Sequence, residues 1–380
     1  MIHDFDVHVC LVSDQAAPNL LPVLDPRFAP KSRRILMLVT PEMKENAVWL
    51  AQVFQGLGLK TDRVVIDDSY DLDAIQEKLF EYLDKKPDHE KAALNVTGGT
   101  KIMALAAHSV FTMKQQPVFY VREDSNTLII MPHPESNEKS LELPINSELT
   151  LTDYLNSYGY KVKLEKTSRH VPEFALDMIN DRQKYEMPLA ILHQHAHTPE
   201  NKKKLSFLVN DVKPMYALLE LCKKHNLLDF TENSIKFTNR DSRKYVCGGW
   251  LEAYVQAIAN SLPESKMQTR AEGNLKITKN DVENELDGAF MAKDTLHVIE
   301  CKTGRLEDEG GGDVLYKLST VVQQTGLRTK RMLVTYRNLD AYNPNNQRPH
   351  SKRAREYGIK VIEPDGLPLL KEHLQSWIAE

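Results

Sequence analysis

Residues 284–304, NELDGAFMAKDTLHVIECKTG, constrain this chain more than any other segment. Two strand-length, partly apolar runs, 284–291 and 296–303, flank polar residues, which predicts a hairpin centred between Lys293 and Asp294. A two-residue turn there sets Asp287 opposite Glu300 and Glu285 opposite Lys302. Directly opposed side chains have Cβ atoms roughly 5 Å apart. Glu300 and Lys302 share one strand face, and Ile299 and Cys301 point the other way, toward a core. A three- or five-residue turn would break this pairing.

Two carboxylates that close repel by roughly 3 kcal/mol at an effective dielectric of about 20. A Mg²⁺ or Mn²⁺ ion offsets that repulsion, because hard cations take carboxylate oxygens. Such an ion lowers the pKa of a bound water and neutralises charge on a phosphate. Lys302 is then a cation placed to orient the water or stabilise the transition state. The plainer alternative is a surface ion pair between Glu285 and Lys302, with the other acids solvated.

Upstream, Gly248 and Gly249 open an apolar-periodic helix (Leu251, Tyr254, Val255, Ile258, Ala259) with Glu252 in its first turn, where the helix dipole favours a carboxylate. Downstream, a helix is expected over 314–325, N-capped by Asp313, preceded by a Gly310-Gly311-Gly312 loop and stopped at Gly326, with Gln323 on it. This ordered set resembles the PD-(D/E)XK nuclease superfamily. The resemblance implies catalytic roles for Glu252, Asp287, Glu300, Lys302 and Gln323, with Asp287, Glu300 and Glu252 holding the metal. Leu286 stands where the family often has proline.

The second informative run is 92–108, AALNVTGGTKIMALAAH. It reads as a buried strand, a Gly98-Gly99 turn, and a helix from Lys101. Unpaired amides at such a turn and helix start attract anions, and Thr97, Thr100 and Lys101 add hydroxyls and a positive charge. Neither the Walker spacing nor G-x-G-x-x-G is present, and a plain strand-to-helix turn fits equally well. Strands over 7–12, 34–39, 59–65 and 117–121 and helices over 43–57 and 72–83 complete an alternation that implies a mostly parallel sheet. Ligands bind beyond the carboxyl ends of such strands, where Ser13, Thr40 and Thr97 lie.

The run N-x-T-G-G-T-K after a buried strand resembles the CRISPR-associated Rossmann fold (CARF), a sensor of cyclic oligoadenylates. With the C-terminal nuclease pattern, the chain is similar to stand-alone, second-messenger-activated nucleases of type III CRISPR immunity. That resemblance implies a homodimer whose paired Rossmann domains hold cyclic tetraadenylate and whose nuclease domains cut DNA, RNA or both. It implies ligand contacts from Ser13, Thr40, Thr97, Gly98, Gly99, Thr100 and Lys101. A two-fold interface presents each loop twice, which suits a cyclic polyanion.

The fold class is therefore α/β. A Rossmann-like sensor domain is expected over 1–146, a small helical, winged-helix-like region over 147–242, and a PD-(D/E)XK domain over 243–380. In the middle region, 151–164 reads as a turn and a strand, 171–180, 190–208 and 216–225 as helices, and 227–237 as a hairpin. His193, His195 and His197 alternate, but only His193 and His197 share a helix face and no acid joins them. The net charge of −4 gives no global nucleic-acid signal. Arg328, Lys330, Arg331, Arg337, Arg348, Lys352, Arg353 and Arg355, clustered after the expected site, give a local one. The 4 cysteines lack C-x-x-C spacing, which argues against zinc and disulfide scaffolds. No apolar run reaches membrane-spanning length, and the N-terminus lacks a signal peptide, so the cytoplasm is expected. Two other classes remain open: a ligand-independent repair or restriction nuclease, and a non-catalytic sensor or adaptor.

Overall fold

The computed structural model describes residues 5–30, 33–87, 90–147, 149–164, 172–263, 267–304, 311–326, 328–340 and 350–380, leaving aside the side chains of 311–313 and 321–323. The N-terminal part runs β1 (Val7–Leu11), α1 (Ala17–Leu24), β2 (Arg34–Val39), α2 (Lys44–Gly56), β3 (Lys60–Val65), α3 (Leu72–Lys85), β4 (Ala92–Asn95), α4 (Lys101–Met113), β5 (Val118–Arg122), β6 (Thr127–Met131) and β7 (Leu141–Pro144). Its sheet has the order β3-β2-β1-β4-β5-β6-β7. The first five strands are parallel, and β6 and β7 turn back antiparallel. Strand order reverses between β1 and β4, so the crevice where such sheets bind ligands lies beyond those two strands. β1, β2 and β4 are almost wholly buried, which explains their continuous apolar runs.

The middle region contains α5 (Leu151–Ser157), β8 (Lys161–Lys163), α6 (Glu173–Asn180), α7 (Arg182–Ala196), β9 (Ser206–Leu208), α8 (Tyr216–Lys224), β10 (Leu228–Thr231), β11 (Ser234–Phe237) and α9 (Arg240–Lys244). The expected turn near 151 is a helix. Thr150 caps it by accepting from the Asp153 amide, and Leu151, Tyr154 and Leu155 are buried. The helix expected over 190–208 instead spans α7. It ends before Thr198-Pro199, where Asn201 donates to the freed His195 carbonyl, and the chain then becomes β9. β9, β10 and β11 form their own antiparallel sheet.

The C-terminal part runs α10 (Trp250–Asn260), β12 (Glu272–Lys279), β13 (Val282–Ala292), β14 (Thr295–Lys302), α11 (Gly311–Gln323), β15 (Lys330–Thr335), α12 (His350–Glu356), β16 (Ile359–Ile362) and α13 (Leu370–Ala379). Its sheet order is β16-β15-β14-β13-β12-β8, so β8 supplies an edge strand from the middle region. One sheet face shares a core with the N-terminal domain through Tyr154, Tyr158, Leu286, Val298 and Leu333. The other packs on α10, α13 and the middle helices through Ile299, Cys301, Trp250 and Trp377. α11 begins at Gly311, so Asp313 lies inside its first turn rather than capping it. Among the described residues, no helix is long and apolar enough to cross a membrane.

Candidate active site and ligand crevice

The hairpin forms in the expected register. Lys293 and Asp294 take φ of 50° and 54°, the left-handed pair of a type I′ turn. Pairing runs from Ala292–Thr295 to Gly288–Ile299. One step further the ladder opens, and the Asp287 carboxylate accepts from the Cys301 amide at 2.8 Å. On the other side, pairing with β12 skips Asp287 and Asn274, and Asn274 has φ 50°. Leu286 and Ala289 both enter the same core although they are three residues apart, so regular alternation fails at Asp287. The distortion turns Asp287 inward toward β14.

Glu300 accepts an ion pair from Lys302 Nζ at 2.9 Å, and both side chains are largely buried. The surface pair Glu285–Lys302 does not form; Glu285 lies 3.4 Å from Lys244. Glu252 stands in the first turn of α10, and its Oε2 is buried with no hydrogen-bond partner. Burial, then the charges of Glu300 and Glu252, push Asp287 up to about 8, against the pull of Lys302. Glu252 is raised mainly by burial, with Lys244 opposing and Glu285 and Glu300 reinforcing. Glu300 and Glu252 thus both act on Asp287 at the opening between β13 and β14. Among the described residues, no three His, Cys, Asp or Glu side chains already converge as a completed metal site. Asp287 is tied to an amide and Glu300 to Lys302, while Glu252 keeps a bare oxygen. These hard oxygen donors suit Mg²⁺ or Mn²⁺. Gln323 ends α11, but its side chain lies outside the described residues.

In the crevice, Gly98 passes so close to β1 that an added Cβ would lie 2.1 Å from the Leu11 carbonyl oxygen and 3.2 Å from Ser13 Oγ. Ser13 and the glycine turn are therefore neighbours. Gly99 has φ +71°, the conformation that favours glycine. Two expected ligand groups serve the loop itself. Thr97 Oγ1 donates to Asn95 Oδ1 at 2.6 Å and accepts from the Val121 amide at 2.7 Å. Thr100 Oγ1 caps α4 by accepting from Met103 at 3.1 Å and donates to the Ser69 carbonyl at 2.9 Å. Ser13 Oγ is turned onto Gln15, and Thr40, beyond the neighbouring β2, is buried. Among the described residues, the Gly98, Gly99 and Thr100 amides have no acceptor. Lys101 beside them is exposed, and so is Leu105 one turn on.

Other sequence signals resolve differently. His193 is half-buried, its pKa pushed down to about 4 mainly by desolvation, and its ring packs edge-on against His197. Much of the basic run is internal bracing: Lys330, Arg331 and Arg337 donate to the carbonyls of Trp377, Tyr357 and Glu186. Lys352 and Arg355 are exposed, and Arg348 lies outside the described residues. One half-buried junction was not legible in the sequence. Asp294, at the hairpin tip, accepts from Asn126 at 2.8 Å, from Ser147 and from Gln268. It ties the β5–β6 turn of the N-terminal domain to the strand pair carrying the acids. Only the turn position of Asp294 was visible beforehand.

Residues 7–154 match the family model of the Card1 CARF domain, and residues 239–380 match that of the Card1-like endonuclease domain. The chain joins a CARF domain to a Card1-like endonuclease domain. It is thus a nuclease with a CRISPR-associated sensor fold, the pairing that both sequence resemblances implied. The structure of VC1899 from Vibrio cholerae is similar at TM-score 0.80 and 26% identity, covering 98% of each chain. Can2 from Sulfobacillus thermosulfidooxidans, solved in complex with cyclic tetra-adenylate, is similar at TM-score 0.76 and 29% identity, covering 100% of this chain and 98% of Can2. A type III CRISPR defence DNA nuclease activated by cyclic oligoadenylate shares the fold at TM-score 0.56 and 19% identity, over 87% of this chain and 45% of that one. No curated protein sequence matches.

Proposed function

We propose that this protein is a homodimeric, divalent-metal-dependent endonuclease that cuts DNA or RNA in the cytoplasm when its CARF crevice binds cyclic tetraadenylate, in type III CRISPR defence. The observation that carries the catalytic reading is the half-buried Asp287–Glu300 pair beside Lys302, together with the buried, unpaired Oε2 of Glu252. Glu252, Asp287 and Glu300 would hold Mg²⁺ or Mn²⁺. Bound there, the ion supplies a water of lowered pKa and neutralises phosphate charge. The Cys301 amide fixes the Asp287 carboxylate, and Lys302 holds a positive charge against Glu300 where a phosphate would approach. Gln323 completes the family pattern on α11.

The ligand reading rests on the unpaired Gly98, Gly99 and Thr100 amides, on exposed Lys101, and on the ligand in the Can2 structure. Ser13 and Thr40 take part as walls of the crevice, and Thr97 and Thr100 shape the loop. Leu105, 61% exposed on the same helix face as Lys101, suits a second copy closing over the crevice. We divide the chain at 146 and 242, with β8 lent to the nuclease sheet.

The test is cleavage of plasmid and labelled RNA, with and without Mn²⁺ and cyclic tetraadenylate. Cutting only with both supports the reading. Ligand-independent cutting favours a repair-type nuclease, and ligand binding without any cutting favours an adaptor. Glu300→Gln is expected to abolish cutting with ligand affinity intact, and Lys101→Ala to weaken ligand binding at least tenfold.

A further inference from the structure

We propose that Lys244, Lys276, Lys163 and Lys161 form a surface row that carries the phosphate backbone of the nucleic-acid substrate to the catalytic acids. The row follows from register. Lys276 on β12 is paired with Glu285 on β13 at one side and with Lys163 on β8 at the other. Thr278 is paired with Lys161. Leu275 and Ile277 enter the interdomain core, so Lys276 and Thr278 project from the opposite face. The row reaches the site through Lys244, which lies 3.4 Å from Glu285, donates to Asn274 Oδ1 at 2.9 Å, and acts electrostatically on Glu252. With strands about 4.8 Å apart, Lys163 stands roughly 10 Å from the β13 backbone. Glu283, paired with Thr278, borders the row beside Glu285, so four lysines there face two glutamates.

Like charges directly opposed across a ladder are destabilising. Among the described residues, Lys161, Lys163 and Lys276 make no ion pair. Lysines on an edge strand discourage strand addition, which accounts for Lys161 and Lys163. It does not account for Lys276, whose strand is paired on both sides. A polyanion laid across β8 and β12 explains all of them. These lysines are scattered in sequence, so no basic run announces them, whereas Lys330, Arg331 and Arg337 of the visible run brace the interior.

The inference rests on the nuclease reading but is tested separately from it. Binding of a fluorescein-labelled single-stranded DNA, an RNA of the same sequence and a DNA duplex is followed by anisotropy in EDTA across a salt series. The double variant Lys163→Ala/Lys276→Ala should lower the slope of log K against log salt by about 1.5, at 0.7–0.9 per lost phosphate contact. Its KM for cleavage should rise at least fivefold. Cyclic tetraadenylate affinity should hold, and the thermal midpoint should stay level or rise as opposed charges are removed. Unchanged slope and KM would overturn the row even if the wild type cuts. If the wild type binds with this salt dependence but never cuts, the nuclease reading fails and the row stands.

Discussion

Asp294 is the residue at which removal of a few atoms should cost most. It sits at the hairpin tip, 8% exposed, and accepts from Asn126, Ser147 and Gln268, while its own amide donates to Gln268 Oε1 at 2.6 Å. Asp294→Ala leaves donors from the sensor, the interdomain segment and the nuclease without this acceptor; Asn126 and Ser147 are half-buried and Gln268 is exposed, so each loss is about 1 kcal/mol. Alanine at φ 54° adds about 1–2 kcal/mol. Relief of burying a carboxylate, which raises the Asp294 pKa, offsets part of this. The net loss should be about 3–5 kcal/mol, in the range for breaking a buried charged network. Asp294→Asn keeps the shape and tolerates the left-handed backbone, and should cost about half as much. Asn126→Ala removes only the sensor-side bond and should cost about 1 kcal/mol. Hydrogen–deuterium exchange of the Leu296 and Val298 amides reads the local opening. At 1.4 kcal/mol per tenfold, Asp294→Ala should speed exchange by about two to three and a half decades. Acceleration of less than about fivefold, with Asn and Ala indistinguishable, would refute the clamp.

Three further outcomes follow from the geometry. Gly98→Ala drives a methyl into the Leu11 carbonyl, so the loop must shift; cyclic tetraadenylate affinity by calorimetry should fall at least a hundredfold. Burial lowers His8 and His297 to about 3 and His193 to about 4. The unfolded chain therefore binds more protons below the ordinary histidine pKa, and stability is lost as pH falls from 6.5 toward 4. Each histidine contributes about 1.4 kcal/mol per pH unit, and His297→Phe should remove one such share from urea midpoints measured across that window. Tyr154 OH donates to the Thr325 carbonyl at 2.7 Å beneath the nuclease domain. The same carbonyl also accepts from Thr329 Oγ1 at 3.0 Å, so Tyr154→Phe removes one of two donors and should cost about 0.5–1.5 kcal/mol in urea unfolding.

The hairpin was legible because a two-residue turn and the alternation of the strand residues beside it leave one register, and both are local. The alternating strands and helices of the sensor were legible for the same reason. What was hidden is tertiary. The distortion at Asp287 depends on Asn274 in another strand, and nothing local marks it. Lys302 pairs with its own strand neighbour Glu300 because burial brings them together, whereas the opposed Glu285 finds Lys244 from a helix. Thr97 and Thr100 have the chemistry of ligand groups, but the loop spends their hydroxyls on its own construction. β8 borrows three residues from the middle region for the nuclease sheet, a pairing over more than a hundred residues that periodicity cannot foresee.

The most direct test compares wild type, Asp287→Asn and Lys302→Ala in single-turnover cleavage with Mn²⁺ and saturating cyclic tetraadenylate, with ligand affinity measured in parallel. Each substitution is expected to lower the cleavage rate by at least a thousandfold with ligand affinity unchanged. Cleavage within tenfold of wild type in either variant would contradict their catalytic roles.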